Sequence, residues 1–156
     1  MNKNRQSIKE IFTDALKHYQ ERDSKTAEIF CDKILSINPN HFESISLLAN
    51  INAVNGNFNK AKEFLKRAIE IRPKNVSILN NLGTTHKELG EPKEAINYYQ
   101  KVLEIDPKHA SANYNLGLEY YKFKQLKKAK NHFEKTIEIQ PKFSMGHFNL
   151  GNLYKE

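Results

Sequence analysis

Apolar residues recur at helical spacing in two neighbouring segments, 76–89 and 92–105, near the middle of the chain. The first segment has Val76, Ile78, Leu79, Leu82 and Leu89, and the second has Ala95, Ile96, Tyr99, Val102 and Leu103. Within each segment most of these side chains lie three or four residues apart, which is the spacing of one face of an α-helix. The pattern therefore predicts two amphipathic helices separated by a tight turn.

The residues that flank the two segments predict where each helix begins and ends. Asn75 is suited to cap the first helix, because its side chain can accept a backbone N–H. Gly90 follows that helix, as glycine often does, and Pro92 fits the first turn of the second, where no N–H is needed. Pro107 restricts the backbone of Asp106 and ends the second helix. The predicted unit is a helix, a tight turn, a second helix and a proline turn.

This unit repeats along the chain with a period of 34 residues. The tripeptide Asn-Leu-Gly occurs three times, beginning at Asn81, Asn115 and Asn149. Four of the five prolines share the period, namely Pro39, Pro73, Pro107 and Pro141. An alanine stands twelve residues before each of them, at Ala27, Ala61, Ala95 and Ala129. A fixed period over most of a chain is typical of repeat architectures, in which each unit buries its apolar faces against its neighbours.

Three of the repeats share a fuller pattern of apolar, small and aromatic residues. Repeat 4 carries Leu116, Gly117, Tyr120, Ala129, Phe133 and Pro141. Repeat 3 carries Leu79, Leu82, Gly83, Ala95, Tyr99 and Pro107. Repeat 2 carries Ile45, Leu48, Ala49, Ala61, Leu65, Ala68 and Pro73. This pattern resembles that of the tetratricopeptide repeat family: a bulky apolar residue, Leu-Gly, an aromatic residue, and later Ala, an aromatic residue, Ala and Pro.

The resemblance implies an all-α fold, a right-handed superhelical solenoid of antiparallel helix pairs. A single domain over 1–156 is predicted, with repeats 8–41, 42–75, 76–109 and 110–143 and a half repeat or capping helix at 144–156. Repeat 1 is atypical, with Asp14 where the pattern has Leu, as terminal units often are. The apolar run "FNLGNLY" near the end predicts a helix that needs a partner. That favours a chain continuing beyond Glu156 over a capping helix.

The repeated Leu and Gly are predicted to have a packing role within each helix pair. Leu82 is expected to face the second helix, and Gly83 to let two backbones approach where a side chain would collide. A glycine inside a helix costs about 0.5–1 kcal/mol relative to alanine, so a packing reason is expected. Ala95 is expected to serve the same purpose from the second helix.

The Asn of Asn-Leu-Gly does not belong to this packing face. Asn81 lies about 100° from Leu82 around the helix, at a position that resembles those lining the concave groove of tetratricopeptide repeat proteins. The groove is therefore expected to contain a ladder of Asn81, Asn115 and Asn149. Their amides both donate and accept hydrogen bonds, which suits the backbone of an extended peptide. The predicted peptide-binding residues are Asn50, Asn80, Asn81, Thr84, Tyr114, Asn115, Tyr121 and Asn149.

A similar asparagine ladder marks the repeat arm of O-linked N-acetylglucosamine transferase, where it binds the backbone of substrate peptides. The resemblance implies the same use here, with Tyr114 and Tyr121 selecting among ligand side chains. The alternative is that Asn-Leu-Gly is a frequent consensus string, whose Asn is solvated or sets the spacing between helices.

A carboxylate clamp of the kind that holds chaperone C-terminal tails is not expected. In that site, Lys and Arg stand beside the asparagines. The corresponding positions here are Ser46, Asn50, Asn81, Ser111 and Asn115. Without the cations a terminal carboxylate would meet only neutral donors, which bind it more weakly.

Composition limits the classes of partner and location. The chain is 38% hydrophobic and 28% charged, with a formal net charge of +7. No aromatic-basic motif accompanies the charge, so the lysines, including those of the run from Lys122 to Lys130, are interpreted as solvated and a nucleic-acid partner is not expected. No apolar run has the length of a membrane span, and the polar N-terminus lacks a signal-peptide core. A cytoplasmic protein without a membrane partner is therefore expected.

Catalytic and metal-binding motifs are not found. The single cysteine, Cys31, excludes an internal disulfide and is expected to be a buried small side chain. The histidines lack zinc-ligand spacing, and there is no phosphate-binding loop or catalytic signature. No metal, no cofactor and no enzymatic activity are predicted for residues 1–156.

The leading hypothesis is a protein–protein interaction scaffold that binds an extended peptide or helix in its concave groove. The alternatives are the N-terminal substrate-selecting arm of a larger transferase and, less favoured, an RNA-binding helical repeat. The first helix adds an apolar stripe in which Phe12, Leu16 and Tyr19 fall on groove-side positions. Such a stripe predicts docking, on the partner peptide or on a second copy. A homo-oligomer through the terminal helices is therefore a further hypothesis.

Overall fold

The computed structural model describes residues 7–155, and this part of the chain is all α-helical. The helices are α1 (Ile8–Gln20), α2 (Ser24–Ile37), α3 (Phe42–Val54), α4 (Phe58–Ile71), α5 (Val76–Glu88), α6 (Pro92–Ile105), α7 (Ala110–Lys122), α8 (Leu126–Ile139) and α9 (Ser144–Leu153). The predicted all-α class is confirmed. No helix in this range combines the length and the apolar character needed to cross a bilayer.

The helices form two compact units, the first up to Pro73 and the second from Lys74 onward. In the N-terminal unit α1 packs on α2 and α3 on α4, and α2 contacts α3. In the C-terminal unit α5 packs on α6 and α7 on α8. There α6 contacts α7, α8 contacts α9, and α5 contacts α7. Each unit is thus built from helix pairs, and in the C-terminal unit two first helices lie side by side.

The first helices of the repeats start with side-chain caps at one shared position. Asn75 Oδ1 accepts the N–H of Ile78 at 3.0 Å, as predicted. Ser7 and Glu10 form a reciprocal capping box at the start of α1. His41 and His109 cap α3 and α7 through Nδ1, each accepting a backbone N–H at 3.2 Å. The ring nitrogen must be unprotonated to accept, so two histidines act as helix caps that sequence analysis did not predict.

Each helix pair turns at a residue with left-handed backbone. The four residues are Arg22, Gly56, Gly90 and Lys124, with φ of 64°, 75°, 72° and 57°. In every case the following residue donates its N–H to a carbonyl five residues back, at 2.8–2.9 Å. This is the long hydrogen bond of a Schellman turn. Glycine fits such a backbone without strain, yet the turn persists where Arg or Lys occupies it.

The glycine of Asn-Leu-Gly accommodates an aromatic ring of the second helix. A Cβ added at Gly83 would lie 2.5 Å from Tyr99 Cε1, and one added at Gly117 would lie 2.5 Å from Phe133 Cε1. Both rings are fully buried. The expectation that this glycine lets two backbones approach was therefore wrong in its detail, because the nearest obstacle is a ring edge and not a backbone. Gly151 differs, since an added Cβ there would meet nothing within 4 Å.

Residue volumes at this contact are matched from repeat to repeat. Repeats 3 and 4 combine glycine with tyrosine or phenylalanine. Repeat 2 has Ala49 and Leu65 at the same positions, and repeat 1 has Ala15 and Cys31, all of them buried. Burial of Cys31 was expected, and it raises the pKa of the thiol to about 11. A larger residue on the first helix thus goes with a smaller one on the second.

The last turn of the first helix stacks a ring on the second helix in three repeats. The pairs are His18 with Phe30, His86 with Tyr98, and Tyr120 with His132, with centroids 5.1–5.6 Å apart. Two of the histidines are also held by an acid in the turn, because Nδ1 of His18 bonds Asp23 and Nδ1 of His86 bonds Glu91. These histidines are structural.

Repeat 4 has a buried polar pair where the other repeats are apolar. Asn113 is fully buried at the position of Leu79, and its Oδ1 accepts a hydrogen bond from His132 Nδ1 at 3.0 Å. Its Nδ2 donates to the carbonyl oxygens of Pro107 and His109 at 3.3 Å. Burial lowers the pKa of His132 to about 4, with a smaller contribution from Lys135. The imidazole is therefore neutral in the fold.

The apolar stripe of α1 is partly used inside the N-terminal unit. Ile11 and Ala15 are buried, and Phe12 and Tyr19 pack on the core around Leu48. Phe12 also makes an edge-on ring contact with His41 at 5.4 Å. Phe12 and Tyr19 therefore have partners inside the unit, and docking of the stripe on a partner peptide or a second copy stays a prediction. Leu16, at 37% exposure, is the outer residue of the three groove-side positions.

The two glycines Gly117 and Gly151 should respond in opposite directions to alanine. Gly117→Ala forces a Cβ against Phe133, so we expect a loss of about 1–3 kcal/mol in unfolding free energy. Gly151→Ala meets open space and gains helix propensity, so we expect no loss and a gain of up to about 1 kcal/mol. Chemical denaturation of the two variants beside the parent measures both changes.

A double substitution identifies the cause of the Gly117 effect. Gly117→Ala with Phe133→Leu reproduces the pair found in repeat 2. We expect the combined loss to be smaller than the sum of the two single losses, because the smaller side chain makes room for the Cβ. Strict additivity would show that the ring is not the obstacle.

The buried state of His132 predicts a loss of stability in acid. Its pKa is lower in the fold than in the unfolded chain, so the unfolded state binds more protons between about pH 6.5 and pH 4. Stability from this group is therefore complete above pH 6.5 and falls as the pH drops toward 4. His132→Gln keeps an N–H donor but cannot titrate. Melting temperatures measured from pH 7 to pH 4.5 should fall more steeply for the parent, and parallel curves would contradict the assignment.

Candidate functional site

Seven of the eight predicted site residues lie on the first helices of the C-terminal unit. We call them the amide face, which consists of Asn80, Asn81 and Thr84 on α5, Tyr114, Asn115 and Tyr121 on α7, and Asn149 on α9. All seven are half-buried, whereas the leucines of the repeated tripeptide are buried. Asn50, the eighth residue, is exposed on α3 in the N-terminal unit.

Tyr114 and Asn149 are joined directly. Asn149 Nδ2 donates a hydrogen bond to Tyr114 Oη at 3.0 Å, which links α9 to α7. The ring of Tyr114 also lies against Phe143, edge to face at 4.8 Å, and beside Phe133 at 6.0 Å. Tyr114 is therefore held by the fold on three sides. Its predicted role in selecting ligand side chains remains a prediction, and its structural role is the one that the contacts show.

Thr84 is tied to the core of its own repeat. Tyr99 Oη donates a hydrogen bond to Thr84 Oγ1 at 3.2 Å. Burial raises the pKa of Tyr99 to about 12, so the phenol keeps the proton that it donates. The ring that fills the space above Gly83 thus also anchors a residue of the amide face.

The remaining amides differ in how much of their hydrogen-bonding capacity the fold uses. Asn80 Oδ1 is buried and accepts no hydrogen bond within residues 7–155. A buried acceptor without a donor costs about 1–3 kcal/mol, and this atom has almost no accessible surface. Asn81 takes part in interactions within the protein. The three asparagines of the ladder are therefore not equivalent, since Asn149 already uses one N–H on Tyr114.

Three lysines of the run from Lys122 to Lys130 contact an acid or a ring. Lys122 Nζ lies 2.8 Å from Glu119 Oε1, and Glu119 is buried. Lys124 lies over Tyr121 with its ammonium 5.7 Å from the ring centroid, and Lys128 lies over Tyr120 at 5.1 Å. These contacts satisfy part of the charge of the basic run. Over the described range, no cluster of three or more His, Cys, Asp or Glu side chains is arranged to hold a metal ion.

Phe143 packs against the amide face through Tyr114 and was not predicted. It occupies the cap position that holds Asn75 or His109 in earlier repeats, and α9 accordingly has no side-chain cap. The ring contacts Tyr114 instead. Met145 and Phe148, on the same helix as Asn149, are 52% and 61% exposed and add apolar surface near the ladder. The signal was present in the sequence as an aromatic residue at a position that otherwise carries a capping side chain.

Comparison with known proteins identifies the repeat. The family model described as tetratricopeptide repeat matches residues 41–108 and 76–142, which together span more than half of the chain. No match was found among curated protein sequences.

Solved structures give the same assignment of the fold. A crystal structure of MamA protein shares 26% identity, with a TM-score of 0.87, over 95% of this chain and 81% of that one. YrrB, described as a TPR protein with an unusual peptide-binding site, shares 22% identity with a TM-score of 0.82 over 97% and 78%. PilF of Pseudomonas aeruginosa shares 22% identity with a TM-score of 0.83 over 95% and 68%.

The family match, the 34-residue spacing of the helix starts and the glycine-to-ring contacts agree with one another. This chain therefore belongs to the tetratricopeptide repeat family.

Proposed function

We propose that the protein is an interaction scaffold whose amide face binds the backbone of an extended peptide or of a helix. The observation that carries the proposal is the set of half-buried amides Asn81, Asn115 and Asn149, repeated at 34-residue intervals on α5, α7 and α9. A peptide backbone presents N–H and C=O groups at regular intervals whatever its side chains. Side-chain amides can pair with both groups.

Family membership supports the broader part of this proposal. Proteins of tetratricopeptide repeats are generally scaffolds for peptide or protein partners and generally lack catalytic activity of their own. YrrB, which shares the fold, is described as having a peptide-binding site. The finer part, that the ligand is bound through Asn80, Asn81, Asn115 and Asn149, rests on the chemistry of the amide face.

Electrostatics favours a peptide over a nucleic acid as the ligand. Phosphate binding depends on Lys and Arg side chains at the site. The amide face itself consists of neutral residues. A ligand bound there should therefore show little change in affinity with salt, whereas an RNA ligand would show a steep decrease.

Replacing the three ladder asparagines should weaken the binding of peptides of different sequence by similar factors. Peptides of unrelated sequence are first selected from a random display library on the immobilised full chain. We expect Asn81→Ala, Asn115→Ala and Asn149→Ala together to weaken each of two such peptides about tenfold or more, because each amide contributes roughly 0.5–1.5 kcal/mol. Fluorescence anisotropy gives the affinities, and circular dichroism checks the helix content.

The chain offers a matched control for the triple variant. Asn59, Asn97 and Asn131 are exposed asparagines on the second helices α4, α6 and α8. Changing these three to Ala makes the same chemical change away from the amide face, so affinity should stay within about twofold. Equal affinities in the ladder variant, the control variant and the parent would reduce Asn-Leu-Gly to a packing motif.

Tyr121 should affect specificity more than affinity. It is a half-buried aromatic residue of the amide face, two turns along α7 from Tyr114. We expect Tyr121→Ala to change the affinities of the selected peptides by unequal factors. An aromatic ring packs against ligand side chains, which differ between peptides, and not against the backbone that they share. The same binding series measures this change, and a uniform factor for every peptide would contradict a selective role.

A further inference from the structure

The Schellman turn of repeat 2 places an asparagine directly before its left-handed glycine. Asn55 is the C-cap of α3, and Gly56 has φ of 75°. The residues that precede the four left-handed positions are Glu21, Asn55, Leu89 and Phe123. In the whole sequence, Asn55 is the only asparagine that is followed by glycine. Among the four turns, the turn of repeat 2 alone combines a side-chain amide with a backbone nitrogen that no Cβ shields.

These two groups can react with each other without an enzyme. The nitrogen of Gly56 attacks Asn55 Cγ, so that a bond forms between them, the bond from Cγ to Nδ2 breaks, and ammonia leaves with the proton of the backbone N–H. Water then opens the five-membered imide at either carbonyl carbon and gives aspartate or isoaspartate. Glycine favours the attack because its backbone approaches closely where a side chain would hinder it.

We propose that Asn55 is a site of spontaneous deamidation, and that the closed turn of repeat 2 holds it unreactive. The site is separate from the amide face and does not depend on the proposed function. Water is the only co-reactant, and the backbone of one turn controls when the covalent change takes place.

The site is open to water. Asn55 and Gly56 are both exposed, and a Cβ added at Gly56 would meet nothing within 4 Å. Val54, the residue before them, is 75% exposed. Burial therefore does not protect the amide, and any protection must come from the conformation of the backbone.

The backbone conformation separates the two reacting atoms. Asn55 has ψ of 3°, so the nitrogen of Gly56 is nearly eclipsed with the nitrogen of Asn55. It is thus rotated by about 120° from the Cβ that carries the amide, because the substituents of Cα are tetrahedral. Closure of the imide ring needs this nitrogen on the same side as Cβ. The closed turn therefore cannot react until ψ of Asn55 changes.

Two backbone hydrogen bonds oppose that change. Gly56 N donates to Ala53 O at 3.1 Å, and Asn57 N donates to Asn52 O at 2.8 Å. Rotation about the ψ bond of Asn55 moves the N–H of Gly56 away from its acceptor and breaks both bonds. The reaction thus requires local opening of the turn, and its rate follows the population of the open form.

Conversion should keep the turn from closing again. In isoaspartate the main chain runs through Cβ, which adds one atom between residues 55 and 56, so the bond from Asn57 N to Asn52 O no longer closes the same ring. Both products also place a carboxylate at the C-terminal end of α3, where the helix dipole is negative. We therefore expect the α3–α4 pair to lose its Schellman turn after deamidation.

Peptide mapping of the full chain by mass spectrometry tests the proposal. The protein is kept at mildly alkaline pH, either folded or in guanidinium chloride, and the conversion of each asparagine is followed with time. In the denatured chain Asn55 should convert first. In the folded chain its rate should be at least about tenfold lower, because the reaction waits for the turn to open.

Two alanine variants test whether this turn controls the rate. Gly56→Ala strains the left-handed backbone of repeat 2, and Gly90→Ala makes the same change in repeat 3. At neither position would the new Cβ meet an atom within 4 Å, so the strain is confined to the backbone. The rate in denaturant divided by the folded rate gives a protection factor for Asn55, which cancels the slower chemistry beside alanine. Gly56→Ala should lower this factor about fivefold and Gly90→Ala should leave it within about twofold.

Three results would overturn the proposal. They are equal rates in the folded and denatured chain, faster conversion of another asparagine in the denatured chain, and an equal change of the protection factor in the two variants. Arg22 and Lys124 show that a residue with a side chain is accepted at this turn position. Circular dichroism of each variant confirms that the rates are compared on folded protein.

Discussion

The contact between a helix glycine and a buried ring sets the spacing within the helix pairs of repeats 3 and 4. Tyr99 fills the space that a side chain at Gly83 would need, and Phe133 does the same at Gly117. Protein interiors are packed almost as densely as crystals, so such a contact permits little variation in the distance between the helices. At the same contact, repeats 1 and 2 have Ala on the first helix and a smaller residue, Cys31 or Leu65, on the second. The contact is thus filled by residues of matched volume and not by one repeated pair.

The amide face depends on the same contact. The hydroxyl group of Tyr99 bonds Thr84 on the first helix, and the ring of Phe133 lies beside Tyr114, which in turn holds Asn149. The side chains available to a ligand are therefore positioned by the residues that close the core. Thr84, Tyr114 and Asn149 thus already have partners within the fold, and side chains ordered before binding lose less entropy when a ligand binds.

Much of the fold followed from the sequence, because it rests on local rules that the 34-residue period presents several times. The cap at Asn75, the turn at Gly90 and the first-turn position of Pro92 each depend on a few adjacent residues, and the structure shows all three. The obstacle at Gly83 was assigned incorrectly because its partner is sixteen residues away and its nature depends on packing.

The pairing of Asn113 with His132 escaped prediction for a related reason. Asn and His are usually found at the surface. Only the hydrogen bond between Asn113 and His132 across the helix pair offsets the cost of burying these polar groups. The candidate site residues could be predicted only as positions on the first helices, and their role in binding stays a prediction. The use of their hydrogen-bonding groups was not, since the bond of Asn149 to Tyr114 and the unpaired Oδ1 of Asn80 depend on neighbouring helices.

The Schellman turns have a consequence for how such a chain can diversify. Their shape is fixed by backbone hydrogen bonds, and so the residue at the left-handed position can change while the helix pair stays the same. Arg22 and Lys124 show that a cation is accepted there, at a cost of about 1–2 kcal/mol relative to a relaxed backbone. The charge displayed at each turn is thus separable from the architecture, and a repeat protein of this kind can alter the electrostatic character of its edges while keeping its core unchanged.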